Sequence, residues 1–241
     1  MEIDTDENSA NDEPIAAEQA ASISITQEAA ISSQDAGTRL ALVKQFIESV
    51  ILAQYRQLVQ WQSVTGQSSQ LDSGYLGQQL VSLLTGIPGV GRRGKGLDLA
   101  DGSEVKAASS LSGIDVPRWN NQIGTAPKRA RYLGLPTIHF VLFDTMKAGE
   151  PIPLRVRVWR VVPAEDPAFK AVIETWASSA SSGNFQLHPP CWKNSDVATN
   201  NAGNLSLPLM FSAQQKIIGD IDYMEITHTE FAPGNCTPVP R

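Results

Sequence analysis

The sequence predicts an α/β fold in which a mixed β-sheet is flanked by helices. Residues 39–62 and 74–85 carry apolar side chains at spacings of three and four, the period of amphipathic helices. Residues 137–143 (TIHFVLF) form a nearly continuous apolar run, which is typical of a strand buried on both faces. In residues 154–162, aliphatic side chains alternate with arginine and tryptophan, as they do on the two faces of a strand.

The two helices come first in the chain. The stripe of the first helix consists of Val43, Ile47, Val50, Ile51, Tyr55, Leu58 and Val59. We assign this stripe to part of a dimer interface, although it serves equally well as intramolecular core. The second helix has Asp72 or Ser73 as its N-cap, and Gly86 and Pro88 end it.

Three strands and a third helix follow. Residues 103–108 predict a short polar strand, ahead of the apolar strand at 137–143. In the strand at 154–162, Leu154, Val156 and Val158 share one face and Arg155, Arg157 and Trp159 share the other. Asp166 and Pro167 predict the N-cap and first residue of a helix. Residues 178–204 are predicted to be largely loop, and 205–211 and 222–229 to be strands or short helices.

Charge is segregated along the chain. Residues 1–37 contain nine of the 25 acidic residues and no Lys or Arg, so we predict a disordered acidic tail followed by one domain at 38–241. Residues 92–160 hold twelve basic and six acidic residues. This basic block suits phosphate binding, although a solvated surface would look similar.

Several classes of protein are excluded by composition. No apolar run approaches the roughly 18 residues of a membrane-spanning helix, and the acidic start is unlike a signal peptide, so we expect a cytoplasmic protein. Two cysteines are too few for a disulfide framework. The stretch GVGRRGKG at 89–96 resembles a nucleotide-binding loop, but it lacks the Ser or Thr after the lysine and follows a helix. It predicts a basic loop.

The segment GLDLADGSEVKAAS at 96–109 carries the candidate chemistry. Asp101 and Gly102 predict a turn that brings Asp98 or Asp101 back toward Glu104. Glu104 and Lys106 project from one face of the following strand. Two converging carboxylates suit Mg²⁺, and a lysine beside them can orient a water that attacks a phosphodiester. An ordinary turn followed by an exposed Glu–Lys ion pair is the alternative.

The order of these elements resembles the PD-(D/E)xK nuclease fold, with Leu97 where proline usually precedes the aspartate. The runs RGKGLDLADGSEVKAASS, GIDVPRWNNQIG and TIHFVLFD are similar to type II restriction endonucleases of the MamI-type family over roughly residues 40–210. The resemblance implies that Asp98, Glu104 and Lys106 are catalytic. We assign Mg²⁺ binding to Asp98, Glu104 and the Val105 carbonyl. Asp101 is a reserve ligand, because a turn three residues before Glu104 could also place its carboxylate on the metal.

Further residues are candidates for binding DNA. They are Arg92, Arg93 and Lys95 of the basic loop, then Arg118, Trp119, Asn120 and Asn121, and finally Lys128 and Arg129. Arginine can read guanine, and asparagine can read adenine, in the major groove. Closely spaced basic residues such as Lys128, Arg129 and Arg131 contact phosphates instead. The alternative for Trp119 is a core aromatic residue. Asn194, Thr199, Asn200, Asn201 and Asn204 are either a second recognition loop or turn formers.

The predicted function is that of a type II restriction endonuclease, which hydrolyses double-stranded DNA at a specific, palindromic site in a Mg²⁺-dependent reaction. The resemblance implies 5'-phosphate ends, a prokaryotic source and a companion DNA methyltransferase. A palindromic site would be matched by a homodimer with one catalytic centre per subunit. Two alternatives remain. One is a MutH-like nicking or repair endonuclease, and the other is a DNA-binding protein without catalysis.

Overall fold

The computed structural model describes residues 31–91, 97–111, 116–150, 152–179 and 183–231. Its helices are α1 (Ala36–Phe46), a π-helical segment (Ile47–Leu52), α2 (Ala53–Thr65), α3 (Ser73–Thr85), α4 (Ala126–Leu133) and α5 (Pro167–Ser179). Its strands are β1 (Glu104–Ser109), β2 (Trp119–Asn121), β3 (Ile138–Thr145), β4 (Leu154–Val161), β5 (Phe185–Leu187), β6 (Val197–Asn200), β7 (Gly203–Ser206), β8 (Leu209–Ile218) and β9 (Ile221–Thr229). None of these helices is both long and apolar enough to cross a membrane.

The first predicted helix is longer than its apolar stripe. The segments from α1 to α2 follow one another without a break. Asp35 accepts hydrogen bonds from the backbone N–H groups of Gly37 and Thr38, at 2.8 and 3.1 Å, which begins the helix three residues early. Gly66 ends it in a left-handed conformation, with φ of 69°. The predicted tail falls mainly on residues 1–30, which lie outside the described residues.

A five-stranded mixed sheet forms the centre of the molecule, in the order β1-β3-β4-β8-β9. β1 is parallel to β3, and the other neighbours are antiparallel. The predicted fold class is therefore confirmed, and both C-terminal segments are strands. β1 lies at one edge of the sheet, so only one of its sides is paired.

Two hydrophobic clusters cover the two faces of this sheet, which explains the apolar run in β3. Val141 and Phe143 pack with the helices α1 to α3, whereas Phe140 and Leu142 pack with α4, α5 and the remaining strands. The stripe of the first helix contributes Val43, Ile47 and Ile51 to the first cluster. That stripe is therefore intramolecular core rather than a dimer interface.

Two short strand pairs lie partly within residues 178–204. Apart from these strands and the end of α5, the described residues of that segment form loops and turns, as predicted. β2 pairs with β5, β6 pairs with β7, and a bridge between His188 and Thr199 joins β5 to β6. We call β2, β5, β6 and β7 together the small sheet. These strands have only three or four residues each and are separated by turn formers, so they are too short to show a period.

The arginine face of β4 is also buried. Arg155 and Arg157 are only 5% and 4% exposed, and both contact the Asp144 carboxylate at 2.8 and 2.9 Å. The two guanidinium groups also donate to backbone carbonyls of the segment that follows β5, including that of Lys193. The alternation predicted for β4 is correct, but its polar side holds this segment and does not face solvent.

Candidate active site

A tight turn places Asp98 beside the start of β1. The N–H groups of Asp98 and Leu99 both donate to the Ser103 carbonyl at 3.2 Å, and the Gly102 N–H donates to the Leu99 carbonyl at 3.0 Å. Gly102 has a φ of 91°, which favours glycine at this corner. The turn predicted at Asp101 and Gly102 is present, and it returns Asp98 to the sheet edge.

Two neutral donors hold the Asp98 carboxylate. Its Oδ2 accepts the backbone N–H of Val105 at 2.8 Å, and its Oδ1 accepts the side-chain amide of Gln78 at 2.7 Å. Burial raises the pKa of Asp98 above its ordinary value, and the neighbouring Glu104 raises it further. The Val105 hydrogen bond and the Lys106 charge oppose this shift. The carboxylate is therefore well oriented but incompletely compensated in charge.

Glu104 and Lys106 lie on one face of β1, as predicted, with Val105 buried between them. Lys106 Nζ is 2.5 Å from Glu104 Oε1, and their side chains are 23% and 16% exposed. The N–H of Glu104 donates across the sheet to the Thr137 carbonyl, whereas that of Val105 points to the open edge and Asp98. Asp98, Glu104 and Lys106 therefore share one end of the edge strand.

Asp101 is used in the turn itself. Its Oδ1 accepts the Ser103 N–H at 2.9 Å and its Oδ2 accepts the Ser103 hydroxyl at 2.8 Å. Asp101 is exposed and does not line the cleft that contains Asp98. Of the two aspartates left open by the sequence, only Asp98 reaches this cleft.

The active-site cleft has a volume of about 580 Å³. Its lining residues are Gln78, Asp98, Glu104, Val105, Lys106, Asn120, Asn121, Gln122, Ile123, Lys128, Arg131, Tyr132 and Leu135. The carboxylates of Asp98 and Glu104 and the ammonium group of Lys106 thus share the cleft with two basic residues of α4, Lys128 and Arg131. Such a cleft can hold a phosphate between the carboxylates at the sheet edge and the basic residues of α4.

Two residues of β2 have structural roles that contradict their predicted DNA contacts. Trp119 is 1% exposed and donates its indole N–H to the Val141 carbonyl, so it is a core residue. Asn121 is fully buried, and its amide donates to the carbonyls of Trp119 and Phe185. Asn121 also accepts the Tyr132 hydroxyl at 2.7 Å. These contacts join the small sheet to α4 behind the cleft.

The other predicted DNA contacts have different surroundings. Arg118 and Asn120 are exposed, and Lys128 lines the cleft. Arg129 is partly buried and donates to the Ile123 carbonyl at 3.4 Å, and Arg131 rather than Arg129 lines the cleft. Arg92, Arg93 and Lys95 lie outside the described residues.

Sequence reasoning did not find Gln78 and Tyr132. Gln78 lies 20 residues before Asp98 on α3, and the periodic pattern of that helix is formed by its leucines. Burial and then the Glu104 charge hold the pKa of Tyr132 well above its ordinary value, so its hydroxyl stays protonated. Neither residue belongs to a motif with a recognisable spacing.

The donors of the cleft fit a hard divalent cation. Among the described residues there is no cluster of three or more His, Cys, Asp or Glu side chains, so no cage made only of protein ligands is present there. Asp98 and Glu104 supply two carboxylates. Mg²⁺ is usually bound by one or two carboxylates, together with water and substrate phosphate. Burial, and to a smaller extent the Glu104 charge, raises the pKa of Asp98, and a bound cation would oppose this rise.

A mixed sheet flanked by helices, with Asp98, Glu104 and Lys106 at the end of its edge strand, defines a nuclease of the PD-(D/E)xK-like fold class. The sequence matches the MamI restriction endonuclease family over residues 60–218. A curated relative, the type II restriction enzyme MamI of Microbacterium ammoniaphilum, is 38% identical over 218 residues, which cover 83% of this chain and 70% of the relative. No solved structure matches the chain significantly.

The chain belongs to the MamI restriction endonuclease family. It is a type II restriction endonuclease, an enzyme that binds double-stranded DNA and cleaves it at specific sites. The alternatives of a nicking repair enzyme and of a DNA-binding protein without catalysis are not favoured by this membership.

Proposed function

We propose that the protein hydrolyses phosphodiester bonds at a palindromic DNA site with Mg²⁺ as its cofactor, and that it leaves 5'-phosphates. One observation carries the proposal. Asp98, Glu104 and Lys106 meet in a single cleft, where two neutral donors orient Asp98 and an ion pair of 2.5 Å orients Glu104 and Lys106.

Asp98 and Glu104 would hold the cation, with the Val105 carbonyl as a third oxygen ligand. The N–H of Val105 points to the open edge of β1, where Asp98 accepts it. Because the N–H and C=O of one strand residue point to the same side, the Val105 carbonyl faces the same edge. A divalent cation bound there would offset the negative charge that develops on the phosphate during hydrolysis.

Lys106 is the residue that we assign to the attacking water. Its ammonium group is a hydrogen-bond donor only, so it orients a water molecule and stabilises negative charge without accepting a proton. Lys128 and Arg131 lie across the cleft and would bind the phosphates on either side of the cleaved bond, with Arg129 beside them. Arg118 and Asn120 are exposed, and Asn120 also lines the cleft, so both would contact the DNA.

We further propose that two copies act on the two halves of the palindrome and that a DNA methyltransferase protects the host site. A two-fold symmetric DNA site is matched by a two-fold symmetric dimer. We also assign residues 38–241 to one nuclease domain that works without the acidic tail, and we place the enzyme in the cytoplasm, where its DNA substrate would be.

Digestion of a long unmethylated phage genome tests the proposal. Wild-type protein is incubated with Mg²⁺ or with EDTA, beside Lys106→Ala and a matched control, Lys170→Ala, on the exposed side of α5. We expect discrete bands from the wild type and the control in Mg²⁺ alone. Bands in EDTA would contradict the cofactor, and bands from Lys106→Ala would contradict the role of the lysine.

Binding of the cation itself can be measured without DNA. In a calorimetric titration with Mg²⁺, Glu104→Ala removes one of the two carboxylates and should weaken binding at least tenfold. Asp101→Asn should leave it unchanged, because the amide oxygen can still accept the Ser103 N–H and so preserves the turn while the carboxylate is removed. The reverse pattern would show that Asp101 rather than Glu104 holds the cation.

A further inference from the structure

The small sheet has one apolar face and one polar face. Trp119, Phe185, Leu187, Ala198 and Leu205 point into the core. The residues that alternate with them point the other way. We call their side the outer face, and it consists of Arg118, Asn120, Gln186, His188, Thr199 and Asn204, with Val197 and Ser206 at the outer ends of β6 and β7.

Strand register places the outer-face residues of each strand pair on one side, and one bridge links the two pairs. Asn120 is opposite Gln186, and Thr199 is opposite Asn204, and residues that are opposite in an antiparallel pair share a face. The bridge between His188 and Thr199 connects the two pairs. Arg118 Nη1 also reaches Gln186 Oε1 at 3.5 Å, which places Arg118 on the same side.

The outer face begins at the active-site cleft. Asn120 lines that cleft, beside Gln122 and Lys128. At its far end the face borders a second depression of about 300 Å³, whose lining includes His188, Thr199 and Lys193. A molecule that lies across the outer face therefore runs directly into the catalytic cleft.

Charge on this surface also fits nucleic acid. The four strands of the small sheet contain no Asp or Glu, whereas the β8–β9 hairpin on the main sheet carries Asp220, Asp222 and Glu225. Lys128 lies at one end of the outer face and Lys193 at the other. A DNA backbone that lies on the outer face would therefore meet a lysine at each end and no carboxylate on these strands.

The spacing of the side chains matches that of base pairs. Residues two apart on a strand are separated by roughly 6.6 Å, and stacked base pairs by about 3.4 Å, so Arg118 and Asn120 are about two base pairs apart. The major groove admits short antiparallel strands, and amide and guanidinium groups are the side chains that read base edges there.

We propose that the outer face lies in the major groove and determines which sequence is cut. Gln186 and Asn120 read adenine, Arg118 reads guanine, and Thr199 extends the contact toward the second depression. This proposal rests on the proposed function and deepens it, because it assigns sequence recognition to the small sheet and leaves hydrolysis to the edge of the main sheet.

Gln186 is the best residue for a test, because its half-buried side chain lies outside the catalytic cleft. Full-length wild type, Gln186→Ala and Gln186→Glu are used to select bound duplexes from a randomised DNA pool in Ca²⁺. Gln57→Ala, an exposed position on α2, is the matched control. Affinity for one unrelated duplex is measured in parallel, and thermal unfolding checks that each variant is folded.

We expect Gln186→Ala to reduce discrimination at one base pair of each half-site by about 10-fold or more, with affinity for the unrelated duplex unchanged. Gln186→Glu should shift the preference there from adenine to cytosine, since a carboxylate accepts from the cytosine amino group. This second variant preserves the size of the side chain and so decides the matter if the alanine variant does not fold.

Two outcomes would overturn the inference. If both variants select the wild-type sequence, the outer face is only a solvated surface. If both lose affinity equally for all duplexes, Gln186 supports phosphate contact and does not read bases. A wild-type protein that selects no sequence at all would instead overturn the proposed function, so the two failures are distinguishable.

Discussion

The side-chain amide of Gln78 donates a hydrogen bond to the Asp98 carboxylate at 2.7 Å, which ties the middle of α3 to the turn before β1. The second oxygen of Asp98 is held by a backbone N–H. Both donors are neutral, so they orient the carboxylate without supplying a positive charge. A cation that binds Asp98 would therefore find it already in place.

Removing this donor should impair cleavage. We expect Gln78→Ala to lower kcat/KM by about 10- to 100-fold, the usual cost of losing a group that orients a metal ligand. Gln79→Ala, the adjacent and exposed position, serves as control.

Gln78→Glu would add a carboxylate beside Asp98 and raise the pKa of Asp98 further, so the acidic limb of the pH–rate profile should move to higher pH. An unchanged limb would exclude electrostatic coupling of residue 78 to Asp98.

Close packing of α3 on β1 makes a second prediction. A Cβ added to Gly77 would lie 2.7 Å from the Cβ of Ala107, which is too close for either residue to remain in place. We expect Gly77→Ala to lower the free energy of unfolding by about 1–3 kcal/mol, measured by urea denaturation.

Gly74→Ala on the same helix is the matched control, because the nearest atom to its added Cβ is 3.6 Å away. Alanine is the better helix former, so this variant should be neutral or more stable by up to about 1 kcal/mol. Equal effects of the two substitutions would show that α3 can move away from β1 without cost.

The buried Asp144 network should be the most sensitive site for stability. Removing its carboxylate leaves Arg155 and Arg157 buried without their charged partner. We expect Asp144→Ala to cost about 3–5 kcal/mol in urea denaturation. Glu225→Ala, which breaks the exposed pair with Lys216, should change stability very little. Similar losses for both variants would argue against a special role of the buried network.

His139 should make folding stability depend on pH. Burial, followed by the Arg160 charge, lowers its pKa from 6.5 to about 4, and its Nδ1 has no hydrogen-bond partner among the described residues. The unfolded chain takes up this proton near pH 6.5, whereas the native protein does so only near pH 4. The free energy of unfolding therefore decreases as the pH is lowered from about 6.5 to about 4, by up to about 3 kcal/mol.

The contribution of His139 is isolated by comparing wild type with His139→Gln in urea titrations at pH 7 and pH 4.5. We expect the variant to lose less stability between these two values than the wild type does. Parallel losses would mean that other groups produce the acid sensitivity.

Much of the fold could be predicted because its signals are local. The stripe of α3, the apolar run of β3 and the turn before β1 each depend on neighbouring residues, and the structure contains all three. The short strands of the small sheet could not be predicted, because three or four residues are too few to show a period. The helix α4 was missed because its eight residues bury only Tyr132 fully.

Local patterns along the chain are enough to predict the mixed α/β class. They also predict that Asp98, Glu104 and Lys106 lie together, since a turn and a two-residue alternation align them. The packing of distant segments, in contrast, decides that Gln78 orients Asp98, that Trp119 is core, and that Arg155 is buried against Asp144. The physical reason is that a buried polar group needs a partner, and chain topology rather than spacing along the sequence decides which residue that partner is.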